Sequence, residues 1–522
     1  MAIIQLKHKI GLVYVPGALP CFEKFGNLPT HLVREDGVVE GKPASEVLDM
    51  LIIPGGSLVE SGFGGNLPKE VLRIAESGGF LLGVCAGFQI LAKATDVGRL
   101  SPTPIVKKGL GLLDVEFSPL ICTDRVTASV VGRSFLTEEV GVDVTGFHCH
   151  TYGSVTIKGD AKPILVSRVK RMNYRDSPQE IVSGVSNKEG NVVGVLVHAL
   201  LDENPAILEG IKRSLGISPE EFEAIKEANV KLQAEMKEEL GVATGLYIDQ
   251  NRTYNPSPSC LLFTATESSA GKTFILTGVA GALRRRGINV GVLKVGGDIR
   301  DIVPALYLTK ETMMPYSSIR IGSSGWTLLE EAVLKATCNH SLLLIEGAMG
   351  DLTGLLNENV EHPSSTLEVA VAAGIPLILI VGCDKSGLEG ALVDALSHIA
   401  LLRNLGAEVA GVILNKLRLS YMSEEVERVT DQAFKKYGVS LLGLVPRMEL
   451  EERGMIPEVE IRYETFCKKA LETVERYIKI DELLKLAKAP HISKGNLNIC
   501  GKFKRLLTSS FWDEPFTIER GS

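Results

Sequence analysis

Two short stretches bring together residue types that do chemistry. The first is Gly83-Val84-Cys85-Ala86-Gly87, between an apolar run and a helical pattern. Glycines on both sides of a cysteine let a strand turn sharply into a helix, which presents the thiol as an exposed nucleophile beside a helix N-terminus that favours thiolate. The second runs from Leu261 through Thr266 to Gly271-Lys272-Thr273. There a buried strand passes through small residues into a helix. Loop N–H groups, those of Ser269, Ala270 and Gly271 among them, can cradle phosphate, Lys272 can reach the β/γ-phosphates, and the Thr273 hydroxyl suits Mg²⁺. Thr266 stands where such loops usually carry glycine.

Each stretch alone has a plainer reading, a small buried cysteine in a tight turn or a helix start with a surface lysine. Company decides between them. His198 follows the apolar run Asn191–Val197 and is the candidate base for Cys85, although a lone histidine there is equally an ordinary structural one. Asp298 and Glu346 each follow a strand-like run, and with Thr273 they form an oxygen-donor set suited to Mg²⁺. Either acid alone reads as a loop carboxylate in solvent. His148-Cys149-His150 invites a metal reading, but neighbours on a strand face alternately, so only the two histidines could share an ion.

These residues need elements to hold them. Ile10–Val15, Met50–Ile53 and Phe80–Val84 read as strands, and Leu67–Ser77 and Phe88–Ala94 as helices. Later, Asn289–Val295, Ser341–Ile345, Pro376–Val381, Val409–Leu414 and Ser440–Val445 alternate with Trp326–Thr337, Leu367–Ala373, Leu388–Leu405 and Glu424–Lys436. Such alternation predicts α/β domains with parallel sheets and active residues at the C-terminal strand ends. Pro219–Leu240 carries Glu/Lys pairs at helical spacing that suit a solvated face, and Asn255-Pro256-Ser257-Pro258 reads as a linker. The expected organisation is residues 1–215 as a first domain, 216–259 as charged helix and linker, 260–490 as a second domain and 491–522 as a tail. Within the tail, Phe511 and Trp512 could dock on the body or a partner.

A length of 522 residues allows two or more cored domains. The net charge of −7 gives no electrostatic case for nucleic acid or an anionic membrane. Apolar runs such as Ile375–Val381 are too short to span a bilayer, and Met1–Lys9 shows no signal-peptide pattern. Nine scattered cysteines read as reduced thiols of a cytoplasmic protein.

Pro54-Gly55-Gly56-Ser57, the Cys85 elbow with Gln89, and Gly194–His198 resemble the class I glutamine amidotransferase domains of the cobyric acid synthase type. The resemblance implies a flavodoxin-like domain in which Cys85 attacks a glutamine amide, His198 is its base, and backbone amides at Gly56 and Ala86 form the oxyanion hole. Many such domains carry a glutamate two residues after the histidine. Leu200 stands there, as in the branch that lacks the third member. His148 and Ala199 replace a glutamate and a frequent glycine of that branch. The second half is similar to the dethiobiotin-synthetase-like P-loop domain of cobyrinic acid a,c-diamide synthase and cobyric acid synthase. The likeness rests on Thr266–Thr273, Lys294–Asp301, Glu346–Gly350, Gly411–Lys416 and Leu442–Arg447. It implies Asn415 at the adenine edge and Pro446 along the purine. The two domains stand in the opposite order to those synthases, and Thr312–Gly325 departs from them, with Arg320 open to a substrate carboxylate or to solvent.

The implied activity is ATP- and Mg²⁺-dependent, glutamine-hydrolysing amidation of a small polycarboxylate, a corrinoid or related tetrapyrrole, through an acyl phosphate. A homodimer through the ATP domain stays open. So do the same chemistry on another acid and a nucleotide-binding regulator with an inactive amidotransferase domain.

Overall fold

The computed structural model describes residues 6–138, 140–243, 258–357, 361–448, 462–493 and 498–508. The chain divides into two compact units. The first takes the N-terminal part together with Leu306–Met313, and the second takes most of the remainder.

The first unit is built on β1 (Ile10–Val13), β2 (His31–Val33), β3 (Met50–Ile53), β4 (Phe80–Val84), β5 (Arg125–Val130), β6 (Asp143–Phe147), β7 (Lys162–Met172), β8 (Arg175–Ser186) and β9 (Val192–Val195). They form one sheet in the order β6-β5-β7-β8-β9-β4-β3-β1-β2. From β9 to β2 all neighbours are parallel, whereas β9 to β6 pair antiparallel. The sheet is therefore mixed rather than parallel throughout. The parallel strands β1, β3 and β9 are buried along their whole length, as strands covered on both faces must be, while β5 alternates buried and half-buried residues.

The helix after the elbow, α1 (Ala86–Leu91), is shorter than its apolar pattern predicts. Ala92 has extended backbone and opens the strand Ala92–Asp96, which pairs with Leu113–Ser118 in a separate four-stranded sheet. Sheet pairing overrides helix propensity there.

The charged stretch forms α2 (Pro219–Ala243), and its role differs from the one expected. Phe222, Ile225, Leu232 and Met236 are buried in the core of the first unit, and buried Asn229 donates to the Pro29 carbonyl at 2.8 Å. Together these five positions recur at alternating spacings of three and four, an apolar seam flanked by Glu/Lys pairs. The unit thus extends beyond residue 215.

The second unit has β10 (Ser259–Ala265), β11 (Val290–Val295), β12 (Ser318–Ile319), β13 (Leu342–Glu346), β14 (Leu377–Gly382), β15 (Val409–Leu417) and β16 (Ser440–Pro446). All pair in parallel, in the order β12-β11-β13-β10-β14-β15-β16. Later strands lie on both sides of β10, so its C-terminal end is a topological switch point, and α3 (Lys272–Arg285) starts there after the loop. At the C-terminus, Ile499 is buried against this unit's core with Phe503 and Leu506 partly buried beside it. Phe511 and Trp512 lie outside the described residues. No described helix is long and apolar enough to cross a membrane.

Candidate active site

Cys85 sits at the end of β4, between β9 and β3 in the sheet. Its φ of 51° and ψ of −106° lie outside the regions open to L-residues, a conformation that costs on the order of 1–3 kcal/mol and persists only where packing enforces it. Packing does so here through the flanking glycines. A Cβ on Gly87 would stand 2.0 Å from the Ile53 carbonyl oxygen, and one on Gly83 would stand 2.6 Å from the Gly87 carbonyl. Strand and helix therefore close to a distance that only glycine permits. The thiol lies 3.5 Å from the Cys149 carbonyl, and Ala86, the first helical residue, has an N–H with no intrahelical acceptor.

The β3 end supplies Gly55 and Gly56. A Cβ on Gly55 would fall 2.9 Å from His198 Cε1 and 3.5 Å from Cys85 Cβ, so both side chains converge on bare backbone. Gly56 has a φ of 134° and presses against the Gly17 carbonyl, where a Cβ would approach to 2.0 Å.

His198, just beyond β9, is buried and boxed by rings. Phe147 stacks on it at 5.2 Å between centroids and Phe22 meets it edge-on at 5.0 Å. Burial works against its imidazolium, but the neighbouring Cys85 and the hydrogen-bonded, charged Glu23 win and push its pKa up to about 10. Glu23 is the group that the sequence does not reveal. It follows β1, 175 positions from the histidine, and His198 Nδ1 donates to its Oε1 at 2.8 Å. The expectation of a base without a third partner is thereby corrected. The only available signal is weak: one acid closing the otherwise apolar run Ala18–Phe22.

His148 and His150 bond to each other, Nδ1 to Nε2 at 2.8 Å, and His150 Nδ1 donates to the Leu120 carbonyl at 3.1 Å. Burial, with the charges of His150 and His198, holds His148 well below the ordinary imidazole range.

In the second unit, Thr273 and Glu346 meet at 2.8 Å. Glu346 is fully enclosed and pushed up to about 7 by burial, against the pull of Lys294 at 3.5 Å. Its Oε2 has no hydrogen-bond partner among the described residues. Two oxygen donors, one of them unsatisfied at the mouth of a phosphate loop, fit a hard Mg²⁺ ion. Asp298, the third expected ligand, is paired with Arg300. Arg300 Nε and Nη2 each donate to it at 2.9 Å and hold it below the usual carboxylate range despite burial. Lys294, buried on β11, pairs with Asp301 at 2.6 Å. Lys272 reaches the Met349 carbonyl at 2.5 Å, and burial lowers its pKa.

The loop itself is braced. Asn415 donates to the Ala270 carbonyl at 2.8 Å, Lys416 donates to that of Ser269 at 2.6 Å, and Gly271 has a φ of 97°. Asn415, expected at the adenine edge, supports the loop itself. Pro446 closes β16 beside Leu417. Arg320 pairs with Glu361 at 2.5 Å.

A cysteine elbow with a buried histidine stands on one sheet, and a braced Gly-Lys-Thr loop stands on another. Residues 13–206 match the CobB/CobQ-like glutamine amidotransferase domain, and residues 261–457 the CobQ/CobB/MinD/ParA nucleotide binding domain. The chain carries these two domains in that order, and the resemblance read from its motifs holds.

Relatives include cobyric acid synthase of Thermoanaerobacter sp., 31% identical, with 33% of this chain and 35% of that protein aligned. Hydrogenobyrinate a,c-diamide synthase of Mycobacterium bovis is 33% identical, with 39% and 44% aligned. Cobyrinate a,c-diamide synthase of Methanobrevibacter smithii is 27% identical, with 49% and 56% aligned. The matches thus span between about a third and just over half of each relative's length.

Proposed function

We propose that this chain is an ATP-dependent, glutamine-hydrolysing amidoligase. The observation that carries the reading is the strained elbow that turns Cys85 toward buried, anion-backed His198. His198 holds the thiol proton as imidazolium, and the sulfur, left as thiolate, attacks the glutamine side-chain carbonyl carbon. Backbone N–H groups at Gly56 and Ala86 receive the oxyanion. The C–N bond then breaks as the imidazolium returns its proton to the departing nitrogen, which releases ammonia. Water, deprotonated by His198, cleaves the thioester to glutamate.

In the second unit, loop residues 269–271, Lys272 and Thr273 hold ATP, and Thr273 with Glu346 would hold Mg²⁺, which supplies charge neutralisation to the phosphates. A carboxylate is a poor acyl donor at neutral pH. ATP therefore has to convert it to an acyl phosphate before ammonia can displace phosphate and leave an amide. The named synthase relatives support a corrinoid or related tetrapyrrole polycarboxylate as the acceptor.

The test is glutamate release from glutamine, with and without Mg-ATP and a tetrapyrrole polycarboxylate, in wild type and Cys85→Ala. Hydrolysis that requires Cys85 and rises with ATP plus acceptor is expected. Nucleotide binding with no Cys85-dependent hydrolysis under any condition would sink the ligase.

A further inference from the structure

We infer that Glu23 is the positioning residue of His198, a third member of the hydrolytic centre supplied from the loop after β1. The assignment rests on reading Cys85 as the nucleophile of glutamine hydrolysis. Leu200, two residues after the histidine, is apolar and buried in the core, so that position offers no carboxylate. Glu23 fills the role from elsewhere. Its Oε1 accepts from His198 Nδ1 and its Oε2 from the Ala199 N–H, both at 2.8 Å. One carboxylate therefore fixes both the ring and the backbone that follows it, where Ala199 has a φ of 57°.

The pair is sealed, with side chains only 2% and 3% exposed. Its loop is anchored from the histidine's own side. Asp202, four residues after His198, accepts from the N–H groups of Lys24 at 2.8 Å and Gly26 at 2.7 Å. The loop after β9 thus grips the loop after β1 on the C-terminal flank of Glu23, while Phe22 on the other flank packs edge-on against the imidazole.

A carboxylate can only accept, so His198 keeps hydrogen on Nδ1 whether the ring is neutral or charged, and its Nε2 is the edge left for Cys85. With the thiol proton on Nε2 and the sulfur pair forming the S–C bond, the imidazolium is stabilised by Glu23. When Nε2 returns that proton to the leaving nitrogen, the ring is neutral again. Glu23 touches no reacting atom. The acid comes from a loop far off in sequence, which is how the third partner goes unseen two positions after the histidine.

The test compares full-length wild type, Glu23→Gln and Glu23→Asp. Glutamine hydrolysis in Glu23→Gln is expected to lose about 10²–10⁴ in kcat with KM within about threefold, and Glu23→Asp is expected to recover part of the loss. Long-range ¹H–¹⁵N NMR of histidine-labelled wild type is expected to show hydrogen held on Nδ1 of His198, lost or weakened in Glu23→Gln. A wild-type spectrum with Nδ1 bare overturns the assignment without any substitution. So does a folded Glu23→Gln protein with wild-type kcat. If wild type itself releases no glutamate, the hydrolytic reading fails, and the state of Nδ1 in the wild-type spectrum still decides the partnership.

Discussion

The Thr273 hydroxyl donates to Glu346 Oε1 across 2.8 Å, joining the first turn of α3 to the end of β13. With Glu346 Oε2 unsatisfied, the pair is set to receive a cation that arrives with nucleotide phosphates. Thr273→Ala is therefore expected to remove most of the Mg²⁺ dependence of ATP binding. Lys272→Ala is expected to weaken binding itself at least tenfold, about 1.4 kcal/mol. Titration of a fluorescent ATP analogue with and without Mg²⁺ separates the two. Equal Mg²⁺ dependence in wild type and Thr273→Ala would refute the role given to the hydroxyl.

The elbow tolerates no side chain at Gly87. A methyl group there would collide with the backbone of Ile53 at 2.0 Å and would have to push α1 off the sheet. Gly87→Ala is expected to cost at least ~2 kcal/mol and to remove glutamine hydrolysis, while nucleotide binding by the second unit survives. Urea unfolding and the two activities measured on one preparation report all three.

Fully buried Ile225 and exposed Val230, five residues apart on α2, should respond oppositely to truncation. Ile225→Ala is expected to cost ~2–5 kcal/mol and Val230→Ala less than about 0.5 kcal/mol. A melt of the first unit in which the two variants match would show that the helix is not part of its core.

Stability should depend on pH through His198. Its pKa is raised from 6.5 to about 10, so the stabilisation is fully present below about pH 6.5 and is lost as pH rises through about 10. The ring faces Cys85 and Glu23, with His148 close enough for its charge to matter and Asp202 behind Glu23. Glu23→Gln is expected to be less stable than wild type by ~2 kcal/mol near pH 6, with the gap narrowing toward pH 10. Denaturant midpoints across that range test the sign.

What the sequence makes legible is what is local. The Cys85 elbow and the Gly271–Thr273 loop announce themselves because strand, turn and helix are consecutive, and the second unit's strands other than the two-residue β12 stand out as apolar runs because both faces of a parallel sheet are covered. Glu23 does not, since its partner lies 175 positions away and nothing in their spacing links them. Asp298 reads as a metal ligand from its place after a strand, and that place does not reveal its pairing with Arg300, two residues on. The core seam of α2 was present in the spacing of Phe222, Ile225, Asn229, Leu232 and Met236. The charges between them give the stretch the look of a solvated spacer.

The two imidazoles where the resembled family has a Glu and a His have a fixed polarity. The Leu120 carbonyl can only accept, so hydrogen sits on His150 Nδ1, the neutral ring's Nε2 accepts from His148, and His148 Nε2 is left a bare lone pair. That atom is buried with no hydrogen-bond partner among the described residues. One peptide oxygen thus sets the direction of the whole row, and reversing it would require both rings to exchange tautomers together.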